Sequence, residues 1–233
     1  MEITIGQLLP GAKAAKGVAV VIDVFRAFSV SCYLFDKGVK TVYPVADIEI
    51  AYRLKKEHPD WLLIGERHEK KPEGFDYGNS PSQFIGDNLS GKTIVHTTSS
   101  GTQGLLAAAE GADVLLTGSF VNADAIVAYI KKLNPNYVTL CCMGYATLYP
   151  TEEDTYCAEY IKARLEDTPF NFDEKAEDIK RTSGARFFEG HAHAPKSDYD
   201  LCLKTGVFDF VLEAKPLGEG ILELHKTFVN YEL

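Results

Sequence analysis

The sequence predicts an α/β protein with a mainly parallel sheet covered by helices on both faces. Three observations carry this expectation. Short apolar runs alternate with amphipathic segments over most of the chain. The apolar share, 45% of 233 residues, is enough for a substantial core, and no low-complexity tract interrupts it. Polar, glycine-containing turns follow the apolar runs, where the strand tips of a parallel sheet would lie.

Taken in order, the pattern predicts a strand at residues 18–24, a helix at 27–37, a strand at 41–44 and a helix at 47–57. A strand at 61–65 leads into a Gly- and Pro-rich loop that runs to Asn79, and a helix is expected to open at Ser80. Then come a strand at 93–96 and a helix at 102–110, a strand at 113–117 and a helix at 123–133. A strand at 137–143 and a helix at 151–166 complete the regular part. Such βαβ alternation implies a mainly parallel sheet with helices on both faces. The last third is less regular, with an acidic helix at 173–181, a loop containing Gly and His, a helix at 197–204 and a strand near 221–225. No linker separates a second unit, so residues 1–233 are expected to form one α/β domain or two intimately packed halves.

The net charge of −9 argues against a nucleic-acid or anionic-membrane surface. No run of about 18 apolar residues appears, and the N-terminal segment lacks the basic, apolar and small-residue parts of a secretion signal, which points to the cytoplasm. Five cysteines, Cys32, Cys141, Cys142, Cys157 and Cys202, are odd in number and lack metal-ligand spacing, so they read as buried free thiols. The expected partners are a small anionic substrate and further copies of the chain.

Ligands of open parallel sheets bind beyond the carboxyl ends of the strands, where helix N-termini converge. All the polar clusters are expected on that one rim. Asp23 follows the apolar run 18–22, with Arg26 just after it; the next clusters are Glu66 with Arg67, then Thr97, Thr98, Ser99, Ser100 and Gly101. Ser119 with Asn122, and Glu152, Glu153 and Asp154, follow later strands. Asp23 suits a metal ligand or a nucleophile, or it simply caps the next helix. Arg26 in a first helical turn is electrostatically misplaced unless an anion binds beside it. The hydroxyl-rich turn 97–101 and the Ser119/Asn122 turn read as two lobes of an anion cradle. The acidic trio 152–154 could be dipole-favoured alone, yet one member with Asp23 would suffice for Mg²⁺.

Other signals fail on context. Residues 86–93 match a phosphate-loop string, but a helix is expected before it and a strand after, the reverse of that motif. No cysteine has an arginine six residues later, and Asp23 lacks a second aspartate two places on. His191 and His193 sit in a loop without a nearby carboxylate pattern, which favours a surface or cavity role over a metal site.

Several of these segments resemble the 2-phosphosulfolactate phosphatase family in order and spacing. They are residues 20–27, Gly65-Glu66-Arg67, residues 74–81 (GFDYGNSP), residues 97–102, residues 118–122, and Asp200-Leu201-Cys202-Leu203. The GFDYGNSP block is the most specific. The resemblance spans about residues 18–211 and implies a three-layer α/β/α sandwich and Mg²⁺-dependent hydrolysis of 2-phospho-3-sulfolactate, a step of coenzyme M biosynthesis. It adds Asn79 and Ser80 to the substrate-binding set. One departure is that Ser99 and Ser100 stand where the family often has threonine and asparagine.

With that resemblance, Asp23 and a carboxylate among Glu152, Glu153 and Asp154 are expected to hold Mg²⁺. Arg26, the 97–101 turn and Ser119 would stabilise the transferring group. Glu66 and Asp76 are candidates for activating water, and Arg67 for gripping the sulfonate. The rival reading is a non-catalytic protein that binds a phosphorylated or sulfonated metabolite. Such a binder would gain little from carboxylates converging on an anion.

Overall fold

A nine-stranded sheet organises residues 1–229, the part of the chain that the computed structural model describes. The chain runs β1 (Glu2–Gln7), α1 (Leu8–Lys13), β2 (Gly17–Ile22), α2 (Ala27–Asp36), β3 (Thr41–Pro44), α3 (Ile48–Glu57) and β4 (Leu62–Gly65). It continues through β5 (Thr93–Thr97), α4 (Gly101–Ala108), β6 (Ala112–Gly118), α5 (Ala123–Leu133), β7 (Tyr137–Cys142) and α6 (Glu152–Leu165). Two further helices, α7 (Phe172–Arg181) and α8 (Lys196–Cys202), precede the last strands, β8 (Phe210–Gly218) and β9 (Ile221–Phe228). Single 3-10 turns lie at Pro81–Gln83, Phe120–Asn122 and Ala185–Phe188.

The fold is α/β, and its layers follow from strand alternation. On β2, Ala19 and Val21 face a core shared with α2 and α4, while Val18, Val20 and Ile22 face a second core with α5 and α6. Ile64 of β4 and Ile94 of β5 join the first core, whereas Leu63 and Val95 face α3. Helices therefore cover both faces, giving a three-layer sandwich. Among the described residues no helix is long and apolar enough to cross a membrane.

The strand order is β1-β7-β2-β6-β8-β9-β3-β5-β4. The first four strands are mutually parallel, as are the last three, and the antiparallel pairs β6–β8, β8–β9 and β9–β3 join the two groups. Three successive reversals set β3, β4 and β5 in the opposite sense to β2, β6 and β7. The single carboxyl rim expected from the sequence is thus a meeting of two groups. Helix α4 leaves β5 and packs on α1, β2 and β6 of the other group, carrying the 97–101 turn to the tip of β2.

Three elements lie outside the expected pattern. Strand β1 pairs only with β7 at a sheet edge, and α1 contains Pro10 and Gly11, poor helix formers. Strand β8 belongs to the antiparallel ribbon rather than to a βαβ unit, so alternation did not reveal it. The helix expected at Ser80 is a single 3-10 turn. There, the Ser82 amide donates to Asp198 Oδ1 (3.1 Å) and the Gln83 side chain accepts from the Gly78 amide (2.7 Å), contacts that tie the segment to its neighbours instead of to its own next turn. The string at 86–93 leads into β5, not into a helix.

Gly17 opens β2 with φ +66°, and a Cβ there would lie 2.2 Å from the Tyr137 carbonyl oxygen. Gly17→Ala combines left-handed strain with a backbone clash that β2 and β7 cannot relieve without separating. A destabilisation above about 2 kcal/mol is expected, read as a lower urea midpoint with an unchanged slope. An unshifted midpoint would contradict the close β2–β7 register.

Candidate active site

The tip of β2, the turn after β4, the N-terminus of α4, the loop after β7, the first turn of α6 and the 3-10 turn at Ala185–Phe188 enclose one cavity. Asp23 stands at its floor, 5% exposed. Its Oδ1 accepts from the Ala27 amide (3.1 Å), so it caps α2 as well as facing the cavity. Gly101 must be glycine for this approach, since a Cβ there would sit 2.8 Å from Asp23 Oδ2. Burial pushes the Asp23 carboxyl up to about 7; the Ala27 amide opposes that shift, and the nearby Glu66 and Glu153 charges reinforce it.

Glu66 also lines the cavity, but its oxygens are engaged. Oε1 accepts from the Ser99 amide (2.6 Å), and Oε2 accepts from Ser99 Oγ (3.1 Å) and from the Glu69 amide (2.8 Å). It clamps the β4 turn to the β5 turn. Ser100 Oγ donates to the Gly144 carbonyl (2.9 Å) and accepts from the Thr147 amide (3.2 Å), joining the loop after β7 to the same frame.

The acidic trio divides by role. Glu153 is buried and lines the cavity, its Oε2 has no hydrogen-bond partner, and burial raises its pKa. Asp154 is also buried, but Oδ1 accepts from the Val24 amide and Oδ2 from the Gly144 amide, both at 2.8 Å. It braces the ends of β2 and β7, and burial with its acidic neighbours raises its pKa well above the usual range. Glu152 is half-buried and does not line the cavity. Among the described residues no three His, Cys, Asp or Glu side chains form a ready-made metal cage. A hard cation that keeps its waters needs less, and Asp23 with the unpartnered Glu153 supplies two suitable oxygen donors.

Seven other expected site residues lie elsewhere. Arg67 donates to the carbonyls of Glu66 and Ala46 (both 2.8 Å) and to Thr97 Oγ1 (2.6 Å), so its guanidinium is spent on the scaffold and does not line the cavity. Asp76 is exposed, and its Oδ2 accepts from the Leu63 amide (2.8 Å) beside Lys55. Ser119 and Asn122 form a buried capping box around Phe120–Asn122, with Ser119 Oγ 2.6 Å from Ser29 Oγ. The second cradle lobe is therefore a structural cap. Thr97, Thr98 and Ser80 are buried behind the cavity wall: Thr98 bonds Thr102, and Ser80 Oγ lies 3.2 Å from Ser82 Oγ. Asn79, Ser99, Ser100 and Arg26 do line the cavity.

Arg26 Nη1 donates to Asp198 Oδ2 (2.6 Å) and to the His193 carbonyl (2.8 Å), a buried pair that tethers α8 to the tip of β2. Sequence reading missed Arg186, whose Nη1 lies 3.0 Å from Glu69 Oε1 and whose guanidinium sits 5.2 Å from the Phe187 ring centroid. It also missed His68, Glu69 and Tyr145. The only signal was an arginine beside two phenylalanines in an otherwise polar loop. His191 and His193 are exposed and stacked 5.2 Å apart, paired with Glu189 and Glu69.

The comparisons with known proteins agree on one family. Residues 3–216 match the model of the family described as 2-phosphosulpholactate phosphatase. A protein of Bacillus subtilis named "Probable 2-phosphosulfolactate phosphatase" is 34% identical over 225 residues, covering 94% of this chain and 96% of that one. Proteins of the same name from Caldicellulosiruptor saccharolyticus and Clostridium beijerinckii are 33% and 30% identical, each over 85% of this chain and 89% of the relative.

The buried carboxylates make a signed prediction. Asp23 titrates near 7 in the fold against about 3.9 in an unfolded chain, so between these values the folded state holds the extra proton and stability falls as pH rises. Glu153 and Asp154 act in the same direction. In a chelating buffer the thermal midpoint should fall between about pH 5 and about pH 8, with a shallower fall in Asp23→Asn. A midpoint that is flat or rises over that range would contradict the assigned burial.

Proposed function

The chain belongs to the 2-phosphosulfolactate phosphatase family, and from that premise we propose that it hydrolyses 2-phospho-3-sulfolactate to 3-sulfolactate and phosphate in a Mg²⁺-dependent reaction. The product would be a precursor of coenzyme M. As a phosphoric monoester hydrolase it breaks the P–O bond to the substrate carbon, with water supplying the oxygen of the released phosphate. The observation that carries the Mg²⁺ proposal is the convergence of Asp23, Glu66 and Glu153 on one cavity meant for an anion. Three carboxylates beside a phosphomonoester dianion are unfavourable without an intervening cation. Asp23 and Glu153 would hold it, and it would neutralise charge on the phosphoryl oxygens.

The chain's own groups do the rest. Ser99 and Ser100 form the cavity wall at the start of α4, but their hydroxyls and the Ser99 amide already donate to Glu66 and the Gly144 carbonyl, so a phosphoryl oxygen would take one of these donors by exchange. Arg26, fixed by Asp198, adds a rigid positive charge beside Asp23. Phosphoryl transfer is mostly positioning and charge stabilisation, so a preformed frame of this kind is the expected contribution. Glu66, fully engaged by Ser99 and Glu69, holds that frame. The role of gripping the second anion passes from Arg67 to Arg186, the other arginine on the cavity wall. Its partner Glu69 is partly exposed, so the pair can open toward an incoming sulfonate.

The test is phosphate release from 2-phospho-3-sulfolactate and from an aryl phosphate, with Mg²⁺ and in excess chelator. Turnover should require Mg²⁺ on both substrates. Arg186→Ala should raise the KM for the sulfonated substrate about tenfold or more and leave the aryl phosphate nearly unchanged, the loss of one charge-assisted contact. Equal losses on both would place Arg186 with the phosphoryl group, and full turnover in chelator would remove the metal from the reaction.

A further inference from the structure

His96 is a buried polar residue that the reaction does not use. It lies on β5, fully buried, one residue before Thr97 and away from the cavity wall. Its Nε2 is 3.1 Å from Asn79 Oδ1, and its Nδ1 is 3.4 Å from Ser31 Oγ. Ser31 Oγ also lies 3.0 Å from the Ala27 carbonyl, at the start of the helix that Asp23 caps, so its one hydroxyl proton can go either to that carbonyl or to His96 Nδ1. Burial, with the Arg67 charge nearby, pushes the imidazole down to about 3, so at neutral pH it carries one N–H.

One N–H leaves two tautomers, and they orient Asn79 oppositely. With the proton on Nε2, the ring donates to Asn79 Oδ1, the Ser31 hydroxyl turns from the Ala27 carbonyl to donate to the bare Nδ1, and the Asn79 amide nitrogen is the polar end left for the cavity. With the proton on Nδ1, the bare Nε2 needs a donor, so the carboxamide must flip and turn its oxygen toward the bound anion. The cavity decides between them. A phosphomonoester and its carboxylate neighbours favour a facing N–H and disfavour a facing carbonyl oxygen.

We infer that His96 is a positioning residue: as the Nε2–H tautomer it locks the Asn79 carboxamide so that Nδ2 donates to an oxygen of the bound phosphomonoester. This gives the loop 74–81, which carries the most specific motif of the chain, a rigid attachment to β5. The inference rests on the phosphatase reading for the identity of the anion; the carboxylates that line the cavity favour the same tautomer without it.

The test therefore has two parts. The first is long-range ¹H–¹⁵N correlation on the wild-type protein, with the six histidines assigned by loss of the His96 signals in His96→Gln. The Nε2–H tautomer, together with a shift of the Asn79 side-chain NH₂ resonances on adding inorganic phosphate, is expected; the Nδ1–H tautomer or an unmoved Asn79 would overturn the inference. The second is kinetic, with an aryl phosphate as substrate. His96→Leu should lower kcat/KM about tenfold, the loss of one oriented hydrogen bond, and His96→Gln, which can still donate to Oδ1, should recover most of it. The Asn79→Ala/His96→Leu double variant should be no slower than Asn79→Ala alone, because His96 acts only through Asn79. Losses that multiply in the double variant would show that His96 serves the fold independently. Should His96→Leu fail to fold, the wild-type tautomer decides. An inactive wild-type enzyme that still shows the Nε2–H tautomer and the phosphate-induced shift would count against the proposed reaction, not against this inference.

Discussion

The crowding of buried carboxylates against one cavity is the constraint on which the rest of the site depends. Asp23, Glu66 and Glu153 face the same space; burial disfavours the charged forms of Asp23 and Glu153, and the Glu66 and Glu153 charges add to the shift on Asp23. Each is handled differently. Glu66 is satisfied by three donors, Asp23 by the Ala27 amide, and Glu153 keeps an oxygen with no partner. A site that left these charges uncompensated would cost stability, so the fold must either bind a cation there or keep protons there.

The fold serves that crowding by gathering loops from two oppositely running strand groups. The β8–β9 ribbon fuses the groups into one sheet, and α4 crosses from β5 to pack on β2 and β6. Around the cavity, side-chain-to-backbone bonds then replace the regularity of a single rim. Glu66 joins the turns after β4 and β5; Ser100 joins the α4 start to the loop after β7; Asp154 joins the ends of β2 and β7; and Arg26 with Asp198 brings in α8. Most of the polar residues near the cavity are therefore fasteners, and few side chains remain free to meet a ligand.

That division explains what the sequence could and could not reveal. The βαβ alternation made β2 to α6 legible because each unit is local, whereas β1 at a sheet edge, β8 in an antiparallel ribbon and the reversal between the groups are set by long-range pairing. Asp23, Ser99 and Ser100, which line the cavity, were legible because they follow strands directly, whereas Asn79, in the long loop after β4, was reached through the family resemblance. Ser119 and Asn122 look the same in sequence, yet a hydroxyl followed three residues later by an amide also makes a capping box, which is what they form. Arg67 follows the same strand as Glu66 but turns its guanidinium to Ala46 and Thr97. Arg186 stayed hidden because its place depends on how the segment between α7 and α8 docks, which no local pattern encodes.

The carboxylate cluster is proposed to hold a divalent cation. The most direct measurement is calorimetric titration of the protein with Mg²⁺ near pH 7 in two buffers of different ionisation enthalpy. Asp23 is partly protonated there, so binding should release protons, the apparent heat should differ between the buffers, and Glu153→Gln should weaken binding about tenfold or more. Absence of binding, or binding whose heat is the same in both buffers and indifferent to Glu153, would contradict the account.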